Sequence, residues 1–303
     1  MKELVELCQG YDMPAVAVTD TNNLFGALEF AITASKSGVQ PIIGCQVRVE
    51  YEGHEIVLLV QSEQGYKNLC TIISRAFLEN KDADEAYASW EDLKELSEGL
   101  ICLSGGIKGP INQFLLNNQK DDAEKILKQM KGIFQDRLYI EIQRHFEADE
   151  DRIEPDLVEF AFKHDIPLVA ANDCYFSTPD MHEAHDALLC IAGGRYVTES
   201  DRRKVNKHHY FKSPQEMAQL FEDLPEAIEN TVNIAKRCHF LLKPIDPILP
   251  AFETEQGRTE AEELRAQSKE GLKWRLENFV ENFDDEDVAK VYWDRLDYEL
   301  GVI

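Results

Sequence analysis

Apolar residues recur along the chain in two rhythms, short continuous runs and stretches in which they return every three or four positions. Residues 15–18, behind Pro14, read as a short strand buried on both faces. Leu24, Leu28 and Ile32, with Ala27, Ala31 and Ala34 between them, form the apolar stripe of a helix closed by Gly38. Pro41 opens a second strand running toward Tyr51, where proline is tolerated as the first residue. Strand, helix and strand in this order make a βαβ unit, with parallel strands and a right-handed crossover. Functional groups in such units gather at the carboxyl ends of the strands, which places Asp20, Thr21 and Gln46 in view.

The alternation continues on both sides. Leu4, Val5, Leu7 and Cys8 mark one face of a first helix ending near Gly10. After a turn at Glu52-Gly53 come a strand at 56–60, a helix at 65–78 and an acidic loop at 82–89. A short helix at 90–96, a strand at 100–103 and helices at 110–116 and 120–134 follow. A strand at 138–142, a helix at 153–164 and a strand at 167–171 complete an α/β barrel pattern. The carboxyl-terminal third is helical. Gly193-Gly194 reads as a helix C-cap, and Ser213-Pro214-Gln215-Glu216 as a capping box with proline at the first helical position. A further helix covers 225–238. Pro244, Pro247 and Pro250 then set a boundary between residues 1–243 and residues 244–303, where two more amphipathic helices follow.

Charge narrows the functional classes. With 57 acidic and 32 basic residues the net charge is −25, which disfavours non-specific binding to phosphate backbones. No apolar run approaches membrane-spanning length, and the amino-terminal residues open an amphipathic helix rather than a signal peptide. Seven cysteines without a C-x-x-C pair read as reduced cytosolic thiols, most of them, such as Cys102 and Cys190, small core residues. Neither a phosphate-binding G-x-x-x-x-G-K-[ST] loop nor a nucleophile elbow is present.

Thr19-Asp20-Thr21-Asn22-Asn23-Leu24-Phe25-Gly26 and Pro41-Ile42-Ile43-Gly44-Cys45-Gln46 resemble two motifs of the PHP (polymerase and histidinol phosphatase) domain. They are closest to its form in the alpha subunits of bacterial DNA polymerase III, worded T-D-H-x-N-L-F-G and P-I-I-G-C-E. Further matches follow in order, including Leu103-Ser104-Gly105, Glu141-Ile142-Gln143-Arg144-His145, Asn172-Asp173 and Glu183-Ala184-His185-Asp186, and they span nearly the whole chain. The resemblance implies a distorted, TIM-like βα barrel, followed by a helical segment leading toward a polymerase palm. The family's first strand carries a His-x-His motif; no such strand precedes residue 15, so the barrel is expected to lack it through truncation at the amino end.

In the family, metal ligands come from the ends of the strands. Thr21 stands where the family has histidine, and a hydroxyl there suits a turn or a helix cap better than a metal. Gln46 replaces an acidic ligand and suits a polar core contact. The next position falls on Glu55, with His54 beside it on the opposite strand face. Gly106 replaces cysteine and has no side chain to offer. Asp173 keeps the family's ligand, and Tyr175 fills a histidine position on the same face. Asp173, Glu55 and His54 are thus the weak metal candidates in a vestigial pocket. Of the other histidines, His145 is expected at the rim of the pocket and His208-His209 in a solvated loop. His182 and His185, three residues apart, are expected to pack among Ala184, Ala187 and Leu188.

The resemblance implies the PHP portion of a bacterial, cytoplasmic replicative polymerase. This chain would be a structural and interaction module with a degenerate metal site and no cofactor of its own. The parent would synthesise DNA with Mg²⁺ in a palm this chain lacks, and its palm, thumb and proofreading exonuclease subunit would be the partners. DNA would be met only through the parent. The alternative is a metal-dependent phosphoesterase acting as a 3′–5′ exonuclease; a free-standing small-molecule phosphatase is a third reading. The charge itself gives a test: fluorescence anisotropy at physiological salt should detect no duplex DNA binding below the micromolar range, and sub-micromolar affinity would contradict the charge argument.

Overall fold

In the computed structural model the described residues are 1–50, 53–79, 86–248, 250–254 and 257–303. The amino-terminal helix α1 (Lys2–Gly10) precedes β1 (Ala15–Val18), α2 (Ala27–Lys36) and β2 (Gln40–Arg48). Next come β3 (Glu55–Val60), α3 (Glu63–Leu78), α4 (Trp90–Glu95), β4 (Leu100–Leu103), α5 (Pro110–Leu116) and α6 (Lys120–Phe134). The series continues with β5 (Leu138–Gln143), α7 (Ala148–His164), β6 (Leu168–Ala171), α8 (His182–Gly193), α9 (Pro214–Leu220) and α10 (Pro225–Arg237). These elements belong to one unit, Met1–Pro244. A second unit, Ile245–Ile303, contains α11 (Glu260–Phe279), opened by a Thr259/Glu262 capping box, and α12 (Glu286–Val302), which contacts α11.

Among the described residues the six strands form one sheet in sequential order, with β1 and β6 at its edges. β1 and β2 are parallel, as are β4, β5 and β6, while β3 runs antiparallel to both of its neighbours. The result is an open half-barrel of strands and helices. Because strand side chains alternate, each strand feeds two different cores. Ile43, Cys45, Ile56, Leu58, Cys102, Ile140 and Leu168 join the large core with Phe30, Phe134 and Phe160 of the helices. Ile42, Val57, Leu59, Ile101, Leu103, Tyr139 and Val169 face the other way, where Ile234 and Cys238 close over them. Gln40 fixes the end of α10 there, donating from Nε2 to the carbonyls of Ala235 (2.7 Å) and Cys238 (2.8 Å).

Several local expectations change in the folded chain. β1 is half-exposed rather than buried on both faces, with Ala17 open to solvent, because it is an edge strand paired on one side only. The helix that follows buries Ala27, Phe30, Ala31 and Ala34, whereas Leu28 is exposed. A stripe rotated toward small residues lets α2 lie close on β2. α7 starts at Ala148, a turn and a half before its expected beginning at Ile153, and runs through Pro155. Proline there removes one helical hydrogen bond, which burial of Ile153, Leu157 and Phe160 offsets. The turn at Glu52 and the acidic loop over 82–85 lie outside the described residues, as does Tyr51. Gly194 caps α8 in the left-handed conformation and Ser213 forms the capping box of α9, both where the sequence places them.

One side chain ties the end of β5 to two helices. The Arg144 guanidinium donates to Glu154 Oε2 at 2.9 Å and Oε1 at 2.5 Å, and to Asp223 Oδ1 at 2.6 Å and Oδ2 at 2.9 Å. It also donates to the Leu220 carbonyl at 2.7 Å and lies 4.6 Å from the Phe221 ring centroid. Arg144→Ala should therefore cost about 2–3 kcal/mol in urea unfolding, because a poorly exposed carboxylate, Glu154, is left without its partner. Arg144→Lys should recover only part of that loss, since an ammonium cannot reproduce two bidentate forks.

Candidate functional site

The strand directions bring one set of ends together. The carboxyl ends of β1, β2, β4, β5 and β6 and the amino end of β3 lie on the same side of the sheet. Along the inner face, the apolar residues beneath α10 give way there to Gln46, Glu55, Glu141 and Gln143, by the period of two. The positions singled out from the sequence sit at this end, and all but the exposed Asp20 side chain meet a neighbour.

Thr21 does not cap α2, whose first residue has no side-chain cap. Its backbone bridges to Gln46, and its hydroxyl donates to Gln46 Oε1 at 3.2 Å. Gln46 N–H in turn donates to the Asp20 carbonyl at 3.1 Å, while the Asp20 side chain is on the exposed side of the turn. Two strand-end loops are thereby tied by neutral groups. Glu55 is 4% exposed and faces two cations, Arg48 Nε at 3.4 Å and Lys108 Nζ at 3.6 Å. Arg48 and Glu55 are register partners across the β2–β3 pair, so the ion pair follows from the pairing itself. His54, on the other face, meets the Phe114 ring edge-on at 6.1 Å.

Gly106 lies against Gln143. A Cβ built on Gly106 would come within 2.6 Å of Gln143 Cδ and Nε2, so the carboxamide fills the volume a longer side chain would take. Gln143 Nε2 donates to Glu141 Oε1 at 2.6 Å. The Tyr175 hydroxyl donates to Asp173 Oδ2 at 2.9 Å, and burial together with that carboxylate pushes the phenol above its ordinary pKa. The loop holding Asp173 is anchored through Asn172, which donates to the Tyr210 carbonyl (2.9 Å) and accepts from Lys212 Nζ (2.9 Å). Burial lowers the pKa of the Lys212 ammonium.

The histidines depart most from expectation. His145 is not at a rim: it is fully buried, its N–H donating to Glu150 Oε2 at 2.5 Å and its Nδ1 2.7 Å from Glu150 Oε1. Nor is His209 solvated. Its ring stacks on that of His145 at 3.8 Å and 7°, with Nδ1 2.7 Å from the Asp173 carbonyl and Nε2 3.5 Å from Glu147 Oε1. Asn206 closes the group, donating to the His145 carbonyl and to Glu147 Oε1, each at 2.9 Å. The neighbours expected to pack His182 and His185, Ala184 and Leu188, are exposed; His182 Nε2 instead lies 2.7 Å from the Val205 carbonyl, and His185 faces the Tyr175 and Phe176 rings. Among the described residues no three His, Cys, Asp or Glu side chains converge as a metal site. Glu141, Gln143, Glu150 and His209 shape the pocket yet were not singled out as site residues; the signal for Glu141 is a charge at an interior position of an otherwise apolar strand.

Residues 1–145 match the PHP domain family. The chain is 46% identical over 301 residues to the DNA polymerase III subunit alpha of Caulobacter vibrioides, covering 96% of this chain and 26% of that protein. It is 42% identical over 310 residues to the same subunit of Rickettsia bellii and 38% identical over 311 residues to that of Pseudomonas aeruginosa, each time covering 100% of this chain and 26% of the relative. The chain carries a PHP domain of the DNA polymerase III alpha-subunit family. It spans about a quarter of the length of these relatives. A solved amidohydrolase from Chromobacterium violaceum, described with bound sulfate and no metal, is 13% identical and superposes over 56% of this chain and 80% of its own with a TM-score of 0.37, too distant to bear on the site. The half-barrel is thus a PHP-type fold, and no helix among the described residues is long and apolar enough to cross a membrane.

The contact at Gly106 yields a prediction. Gly106→Cys restores the residue type the family motif carries, but its Cβ must displace Gln143 and break the bond to Glu141. Unfolding in urea should show a loss of about 1–3 kcal/mol, and the double variant Gly106→Cys with Gln143→Ala should lose less than the sum of the two single changes.

Proposed function

We propose that this PHP domain acts as a structural and interaction module of a DNA polymerase III alpha subunit, without hydrolytic chemistry of its own. The observation that supports this reading is the way each strand-end position is already engaged: Thr21 with Gln46, Glu55 with Arg48 and Lys108, Gly106 with Gln143, and Asp173 with Tyr175. Phosphodiester hydrolysis by a paired-metal clamp needs several charged or imidazole ligands left free to converge on the ions. In this reading the vestigial pocket, with its partnered carboxylates and the His145–His209 stack, is a packing element. The protein it belongs to would carry out template-directed DNA synthesis in the bacterial cytoplasm with Mg²⁺ in its palm. The module's partners would be the palm and thumb of that polymerase and its proofreading exonuclease subunit.

The test is metal analysis of the purified chain by mass spectrometry, together with a 3′–5′ exonuclease assay in Mn²⁺ and Zn²⁺. Less than a stoichiometric amount of Zn, Mn or Fe and no nuclease activity are expected, and Asp173→Ala should lower thermal stability rather than any activity. Two or more tightly bound transition-metal ions per chain, with nuclease activity that Asp173→Ala abolishes, would replace this reading by the exonuclease one.

A further inference from the structure

Beneath Gly106 lies a cavity of about 10 Å³, the space of a single water. Asn112 of α5, Glu141 and Gln143 of β5, and Glu150 and Glu154 of α7 contribute its polar lining. The polar groups there are unevenly matched. Glu150 is committed to His145, Glu154 to Arg144, and the Gln143 amide to Glu141 Oε1. The Asn112 amide nitrogen donates to the Gly106 carbonyl at 2.7 Å and to that of Gly105 at 3.4 Å, which leaves its oxygen as an acceptor. Asn112 Oδ1 and Glu141 Oε2 are both buried and meet no donor among the described residues. Both residues are 3% exposed. The space therefore presents two acceptors and lacks the donor that either requires.

We infer that Glu141 is a buried proton-binding site, whose carboxylic acid donates from Oε2 to Asn112 Oδ1, directly or through one water held in the cavity. A proton answers each part of the mismatch: it cancels the uncompensated charge, supplies the missing donor and needs no further room. A monovalent metal ion would balance the same charge, but the cavity offers it only two oxygens. The surroundings favour the acid. Burial raises the carboxyl and the Asp173 carboxylate adds to it, against the Gln143 amide, the Gly105 N–H and His145, and the balance stands at about 7. The other ionisable groups facing it are the buried Cys102 thiol on β4 and the Glu150 and Glu154 carboxylates of α7. Through Asn112 of α5, whose amide holds the Gly106 carbonyl, the acid fastens β5 to the 104–109 loop, whose Lys108 supplies a carbonyl to the Glu55 N–H (3.0 Å) and an ammonium to its carboxylate. Loss of the proton would place a bare charge under that loop.

The direction with pH follows from linkage. The folded chain keeps this proton to about pH 7, while the unfolded chain releases it near 4.5, so its stabilisation is complete below pH 4.5 and lost as pH rises to 7. Glu141→Gln keeps the donor at all pH values. The folding equilibrium constant of the 303-residue chain, divided by that of Glu141→Gln, should fall about 150-fold between pH 4.5 and pH 8. A ratio flat in pH overturns the inference. Should Glu141→Gln fail to fold, carboxyl carbon NMR of the unaltered chain decides: one glutamate titrating near pH 7 is expected, and none above pH 5.5 overturns it. At pH 8, unfolding in sodium, potassium and tetramethylammonium chloride at equal ionic strength should coincide. A sodium- or potassium-specific stabilisation abolished in Glu141→Gln would assign the cavity to a metal cation instead.

Discussion

A carboxylate turned toward the inside of a half-barrel must find a compensating charge or give up its own, because the low-dielectric interior does not solvate it. Period-two alternation puts Glu55 and Glu141 in that situation on neighbouring parts of one inner face. They solve it differently. Glu55 has Arg48 directly across the β2–β3 ladder and Lys108 on the adjoining loop. Glu141 has an amide and a loop N–H, and its ordinary titration is displaced upward by burial. Much of the pocket is arranged around these two solutions: the position of Lys108, the commitment of Gln143, and the tight approach of that side chain to Gly106.

The same economy accounts for a pocket that is dense with polar groups but poor in free ones. Neutral pairs such as Thr21–Gln46 tie strand-end loops together without the cost of desolvating a charge. The Arg144 fork and the His145–Glu150 bonds join β5 to α7, and His209 extends this group toward the loop at Asp173. The charged groups described here are largely committed to one another. The DNA polymerase III alpha subunits that the chain resembles are about four times as long, and its net charge of −25 is unfavourable to non-specific contact with phosphate backbones.

The alternation of strands and helices was readable from apolar periodicity, as were the capping box at Ser213 and the C-cap at Gly194, because these depend on residues near one another in the chain. The residue types at the strand ends were equally plain, and alternation placed Asp173 and Tyr175 on one face, but the hydrogen bond between them was not foreseen. What failed were judgements about burial. The α2 stripe, the edge exposure of β1 and the buried His209 each depend on what another segment covers, which local spacing does not carry.

By itself the sequence determined the order and kind of the elements, the acidic balance and the family resemblance, since composition and short-range periodicity are properties of the chain alone. Only the tertiary structure decided which polar groups meet. Gln143 of β5 reaches Gly106 in the loop after β4, His209 stacks on His145 across 64 residues, and Asn112 and Glu141 line one cavity. These are contacts between segments far apart in the chain, fixed by sheet register and helix packing, and the protonation of a buried carboxylate depends on them.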